Sequence, residues 1–154
     1  MKALLSTLIV VLFISCKSTQ DVKADVKTSF KIKGTYTMSS VNYAGSDLFK
    51  VTSFNIADSQ CFVDSEWNFV PNNNTGDFKL TKVGCPAFSS KITWYVNKEG
   101  NIVLKILDNT KKAKTITEGY VLHIDNLTET SFQLKEKINI GGKNSEITYQ
   151  FNKK

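Results

Sequence analysis

Side chains with reactive chemistry are thinly spread over this chain of 154 residues: cysteines at 16, 61 and 85, one histidine, His123, and Glu136 among apolar neighbours. The stretch from Cys61 to Cys85 reads as two strands and a turn, so oxidation to a disulfide that closes the hairpin is the chemistry expected of those two thiols. Closing a loop of this length contributes about 3 kcal/mol by restricting the unfolded chain. Glu136 shares its parity with Phe132, Leu134, Ile138 and Ile140, while Gln133, Lys135, Lys137 and Asn139 take the other. A carboxylate on the apolar face of a strand is costly unless something pairs with it. Glu136 is therefore a candidate to orient a ligand's polar end, or to be satisfied by an inward lysine or by Tyr36 or Tyr149. His123 falls on the polar parity, between Leu122 and Ile124, and is expected at the surface. One such histidine and two oxidised cysteines make no metal set, and no Ser-His-Asp arrangement can be built on it. No catalytic residue, metal or cofactor is expected, and the chain does not read as an enzyme.

The elements that position these residues show period-two alternation throughout. Inside the 61–85 stretch, Trp67 and Phe69 alternate with Asn68 and Val70, residues 71–76 (PNNNTG) turn, and Phe78 and Leu80 return. Upstream, FKIKGTYTMSS at 30–40 sets Phe30, Ile32, Tyr36 and Met38 on one face, with Gly34 on the same parity as the mark of a bulge or close backbone approach. A strand from Phe49 to Ile56 follows, its parity broken at Ser53-Phe54 as by a bulge. Ile92, Trp94 and Val96 pair across the turn 97–101 with Ile102, Leu104 and Ile106; Asp108 to Thr117 is a polar, lysine-bearing loop. Tyr120, Leu122 and Ile124, then Phe132 to Ile140, then Ile147, Tyr149 and Phe151 complete about nine strands. Turns this short favour antiparallel neighbours. The fold class expected is all-β, an up-and-down antiparallel barrel of about eight to nine strands, with a two-sheet β-sandwich as the alternative. Such an interior holds side chains or one small ligand. Tyr36, Trp67, Phe69, Trp94, Phe132, Tyr149 and Phe151 are the candidate barrel-lining aromatics, with Glu136 among them. The Asn-x-Thr patterns at Asn73 and Asn126 are read as turns.

Apolar and aromatic residues make up 41% of the chain and are spread evenly, enough for one core. The formal net charge is +6, and every one of the 20 basic residues is lysine. Without arginine's bidentate fork, and with the lysines scattered, nucleic acid is not an expected partner. At the start, Lys2 precedes an apolar run from Ala3 to Phe13, which describes a secretory signal over 1–15 and is shorter than the roughly 20 residues a membrane-spanning helix needs. Phe13-Ile14-Ser15-Cys16 resembles a bacterial lipobox, which implies cleavage before Cys16 and lipidation of that residue. Residues 16–29 then form the lipidated N-terminus and a flexible tether, and 30–154 the barrel domain. The expected location is the cell envelope, as an outer-membrane lipoprotein. Its periplasmic face is favoured because the tether lacks an acidic cluster. The envelope is also an oxidising compartment that suits a Cys61–Cys85 disulfide.

Gly34-Thr35-Tyr36, Cys61-Phe62, Glu66 to Asn73, Gly84-Cys85-Pro86 and Thr117-Glu118-Gly119-Tyr120 together resemble the lipocalin-like lipoproteins of Bacteroidota-type envelopes. The resemblance covers most of the chain beyond Cys16 and implies an eight-stranded barrel holding a small, mostly apolar molecule, attached to the membrane through its lipid. Tyr36 stands where a lipocalin usually has tryptophan, and the arginine that often packs across that position has no counterpart here. A barrel packed solid, serving as a structural or interaction module through its outer face or the 108–117 loop, is the alternative function. A monomer is the favoured state.

Overall fold

The computed structural model describes residues 28–29, 31–46, 48–107 and 119–154. The signal 1–15, Cys16, the tether up to residue 27, Phe30 and the loop Asp108 to Thr117 lie outside the described residues. Among the described residues the strands are β1 (Gly34–Tyr43), β2 (Thr52–Ser53), β3 (Ala57–Asp58), β4 (Glu66–Val70), β5 (Thr75–Lys79), β6 (Ser89–Val96), β7 (Asn101–Leu107), β8 (Tyr120–Asp125), β9 (Ser131–Ile140) and β10 (Lys143–Lys153). Eight of them close into a barrel in the order β1-β10-β9-β8-β7-β6-β5-β4, and β4 returns to β1 through the pairs from Gly34↔Phe69 to Thr37↔Glu66. Closure leaves no free sheet edge, so the barrel is the fold and the sandwich is excluded.

The alternation legible in the sequence drives the closure. In β6 and β7, Ile92, Trp94, Ile102 and Leu104 are all at most 1% exposed, and Trp94 lies opposite Leu104. Burying one face of each strand fixes register, because a one-residue slip would turn every apolar side chain to water. Gly76 in β5 lies between Phe69 of β4 and Ile92 of β6. A Cβ there would sit 2.2 Å from the Asn68 carbonyl oxygen and 3.0 Å from Ile92 Cγ1. Only glycine lets the strands approach so closely.

Two expectations need correction. The first strand begins at Gly34 rather than Phe30, because Gly34 holds φ +104°, a backbone turn that L side chains rarely adopt. Its register shift lies instead between Met38 and Ser40, which brings Val41 and Tyr43 to the inner face. The proposed strand Phe49 to Ile56 is not a barrel strand: Phe54 and Asn55 both take positive φ, 54° and 53°, and fold Thr52–Ser53 back onto Ala57–Asp58 as a miniature hairpin. Removing it from the wall is why the barrel has eight strands where nine were expected. The expected disulfide forms between Cys61 and Cys85, Cα–Cα 5.6 Å, and closes the open end of the β4–β5 hairpin. Cys61 lies in the 3₁₀ turn Ser59–Phe62, before β4, and Cys85 in the connection between β5 and β6. The bond ties two loops together at one end of the barrel.

The Asn-x-Thr sites are turns as read, with Asn74 and Asn126 in the left-handed region at φ 56° and 49°. Asparagine tolerates that conformation better than most residues.

Candidate functional site

Antiparallel order divides the barrel into two ends. The short turns β4–β5, β6–β7 and β8–β9 share one end with the start of β1; the long connections β1–β4, β5–β6 and β7–β8 share the other, with the β9–β10 turn. We call these the floor and the mouth.

The floor half is filled by rings. Phe69 meets Tyr36, Trp94, Phe132 and Phe151 at centroid separations of 6.1, 5.3, 5.9 and 6.2 Å, so its contacts reach four other strands. Phe132 stacks on Phe151 at 4.6 Å, and nearer the mouth end of β4 and β5 Trp67 stacks on Phe78 at 4.2 Å. Both indoles are satisfied, Trp67 Nε1 donating to Ser65 Oγ at 2.8 Å and Trp94 Nε1 to the Thr75 carbonyl at 2.8 Å. Burial raises the pKa of the Tyr36 phenol. The structure thus brings Tyr36, Trp67, Phe69, Trp94, Phe132 and Phe151 together, chiefly against one another.

Tyr149 stands above this floor with a different task. Its hydroxyl lies 2.7 Å from Ser53 Oγ, which donates to Ser59 Oγ at 2.9 Å; Ser59 in turn donates to the Val51 carbonyl at 2.5 Å. With the Ser53 proton committed to Ser59, the Tyr149 hydroxyl is the donor in its own bond. Its pKa is driven far up, first by burial and also by the nearby negative charge of Glu136. This buried string pins the miniature hairpin across the mouth, where Phe54 packs on Tyr149, Tyr120 and Phe62 at 5.3, 5.1 and 5.2 Å. Sequence reading missed Ser53, Phe54 and Ser59; the parity break at Ser53-Phe54 was their signal, taken for a bulge.

Beside that cap the inner face is only half covered. Ile106, Tyr120, Ile138 and Ile140 are half-buried on the inward parity of β7, β8 and β9, and Glu136 is half-buried among them, opposite the fully buried Ile147. Among the described residues no hydrogen bond or ion pair reaches the Glu136 carboxylate, and neither Tyr36 nor Tyr149 satisfies it. Lys135 faces outward, with its ammonium 2.8 Å from Asp125 and 3.5 Å from Glu146. Desolvation pushes the Glu136 pKa up. The raised folded value means that protonation carries no penalty at pH below the unfolded pKa. Stability is lost as pH rises from there through the folded pKa, and the loss is complete above it. Glu136→Gln removes that titration. The urea midpoint of the variant, relative to the natural protein, should therefore rise between pH 4 and pH 8; a pH-independent difference would refute the assignment.

His123 is exposed on the outer wall, Nδ1 3.1 Å from Asn101 Oδ1. No group of three or more His, Cys, Asp or Glu among the described residues could hold a metal ion.

The class this fold defines is the closed, eight-stranded, up-and-down antiparallel barrel, an architecture that lipocalins share with streptavidin. No family model and no curated protein matches the chain. Among solved structures it is similar to bovine odorant-binding protein in complex with a selenium-containing odorant, at 15% identity and TM-score 0.45 over 82% of this chain and 72% of that one. It is likewise similar to the same bovine protein complexed with its natural ligand, at 16% identity and TM-score 0.44 over 80% and 72%. A deswapped triple mutant of that protein gives 17% identity and TM-score 0.43 over 80% and 74%. The fold assignment above rests on the strand register and not on these likenesses.

Proposed function

We propose that this protein is a non-enzymatic binder or carrier of a small, largely apolar molecule, held at the mouth half of a lipocalin-like barrel on the ring-filled floor. The observation that carries this reading is the contrast along one inner wall: below, side chains sealed against each other; above, half-exposed Ile106, Ile138 and Ile140 on the inward parity, with a carboxylate on that parity that no described residue pairs. Pockets of this kind combine apolar walls with a few placed polar groups. Titrating the full chain with the neutral fluorescent probe N-phenyl-1-naphthylamine should give saturable binding at one site. A Kd on the order of micromolar, about −8 kcal/mol, is expected. Absence of saturable binding would overturn the reading.

The same proposal places the protein at the cell envelope as an outer-membrane lipoprotein, on the strength of the apolar leader and the lipobox-like residues before Cys16. Two or more acyl chains on Cys16 would give stable attachment where one gives marginal binding. Cys16→Ser should move the protein from the membrane fraction to the soluble fraction of lysed cells, and unchanged fractionation would refute the anchor.

A packed interaction module remains the second reading because Leu48, Phe49 and Val83 stand 81%, 52% and 98% exposed on the mouth-end loops. It predicts no probe binding, and the titration separates the two.

A further inference from the structure

We infer that Glu136 is the head-group subsite of the mouth and that the ligand it selects carries a positively charged amine on an apolar tail. This inference rests on the mouth reading above and narrows it to a chemical class.

Three observations point to a cation. The first is placement: Glu136 shares the inward parity of Phe132 and Leu134 and pairs with the fully buried Ile147, so its side chain leaves the strand toward the interior. The second is the absence, among the described residues, of an internal counter-charge. Its sequence neighbours Lys135 and Lys137 lie on the outer face, Lys135 is engaged by Asp125 and Glu146, and the Tyr149 hydroxyl gives its proton to Ser53. The third is surroundings: Ile138 and Ile140 follow Glu136 on the inward parity of β9 and Ile106 lies on that of β7, all at partial exposure.

A carboxylate held among apolar walls loses hydration that nothing in the described chain replaces. A ligand ammonium would replace it with a charge-assisted hydrogen bond in surroundings less polar than water, where such a bond is stronger than at an exposed site. An anionic head group would meet like charge at the same position, and an alcohol would donate a hydrogen bond to the carboxylate without neutralising its charge. The aliphatic collar takes the tail. The rings below limit how deep it can reach, which favours a chain lying along the mouth over one threading the barrel.

The test is displacement of N-phenyl-1-naphthylamine from the full chain by dodecylamine, dodecanol and dodecanoate, each below its aggregation threshold, with the natural protein and with Glu136→Gln. Dodecylamine should bind at least about tenfold more tightly than the other two, a difference of about 1.4 kcal/mol. In the Glu136→Gln protein that advantage should shrink to within about threefold, while saturable binding of N-phenyl-1-naphthylamine persists and reports an intact mouth. Equal affinities in the natural protein, a preference for dodecanoate, or an amine preference that survives the substitution would each overturn this inference and leave the mouth reading standing. Failure of the probe and of all three competitors to bind would overturn both.

Discussion

Replacing Phe69 by alanine should cost the barrel about 4 kcal/mol, the upper part of the range for truncating a buried aromatic. Phe69 is 1% exposed and touches rings from β1, β4, β6, β9 and β10: Tyr36, Trp67, Trp94, Phe132 and Phe151. Its loss removes the transfer energy of a whole ring and leaves a void that neighbours held by their own strands cannot collapse into. Equilibrium urea unfolding measures the effect. A loss below about 1 kcal/mol would mean that the floor rings are loosely packed and that the floor, too, is open to ligand.

Removing the Cys61–Cys85 bond should cost about 3 kcal/mol, since it closes a loop of 24 residues in the unfolded chain. Its position adds a second consequence. Cys61 lies in the turn that follows the miniature hairpin, so the disulfide holds the cap carrying Phe54 and Ser53 to the β5–β6 connection. Paired Cys61→Ser and Cys85→Ser substitutions should lower the urea midpoint, and hydrogen exchange should accelerate most over residues 51–65. Uniform acceleration across the barrel would contradict the local role. Unchanged stability would contradict the entropic one.

The wall strands were legible in the sequence wherever an uninterrupted alternation met a short turn. The pairs Ile92, Trp94 / Ile102, Leu104 and Phe132, Leu134 / Tyr149, Phe151 emerge with the parity that their residue types dictate. The inward placement of Glu136 was legible for the same reason. The cap was not, because a type of turn built on two consecutive positive φ values at Phe54 and Asn55 runs against the usual preference for glycine there, and phenylalanine does not announce it. What buries Phe54 is tertiary contact with Tyr120 and Tyr149, which no local window contains; the nearer of those partners lies 66 positions downstream. Nor could the sequence divide the inward aromatics into floor and cap, since that division depends on which end of each strand faces the long connections.

The central claim is that an apolar ligand lies at the mouth end of the barrel, the end nearer Trp67 than Trp94. Trp67 is near the start of β4 and touches the cap residue Phe54 at 5.9 Å, while Trp94 is near the end of β6 beside the β4–β5 turn. A brominated dodecyl chain quenches tryptophan only at close range. Titrated against Trp94→Phe and Trp67→Phe proteins in turn, it should quench saturably and more strongly in the first, which retains Trp67. Equal quenching, stronger quenching of Trp94, or no saturable quenching in either protein would contradict the account.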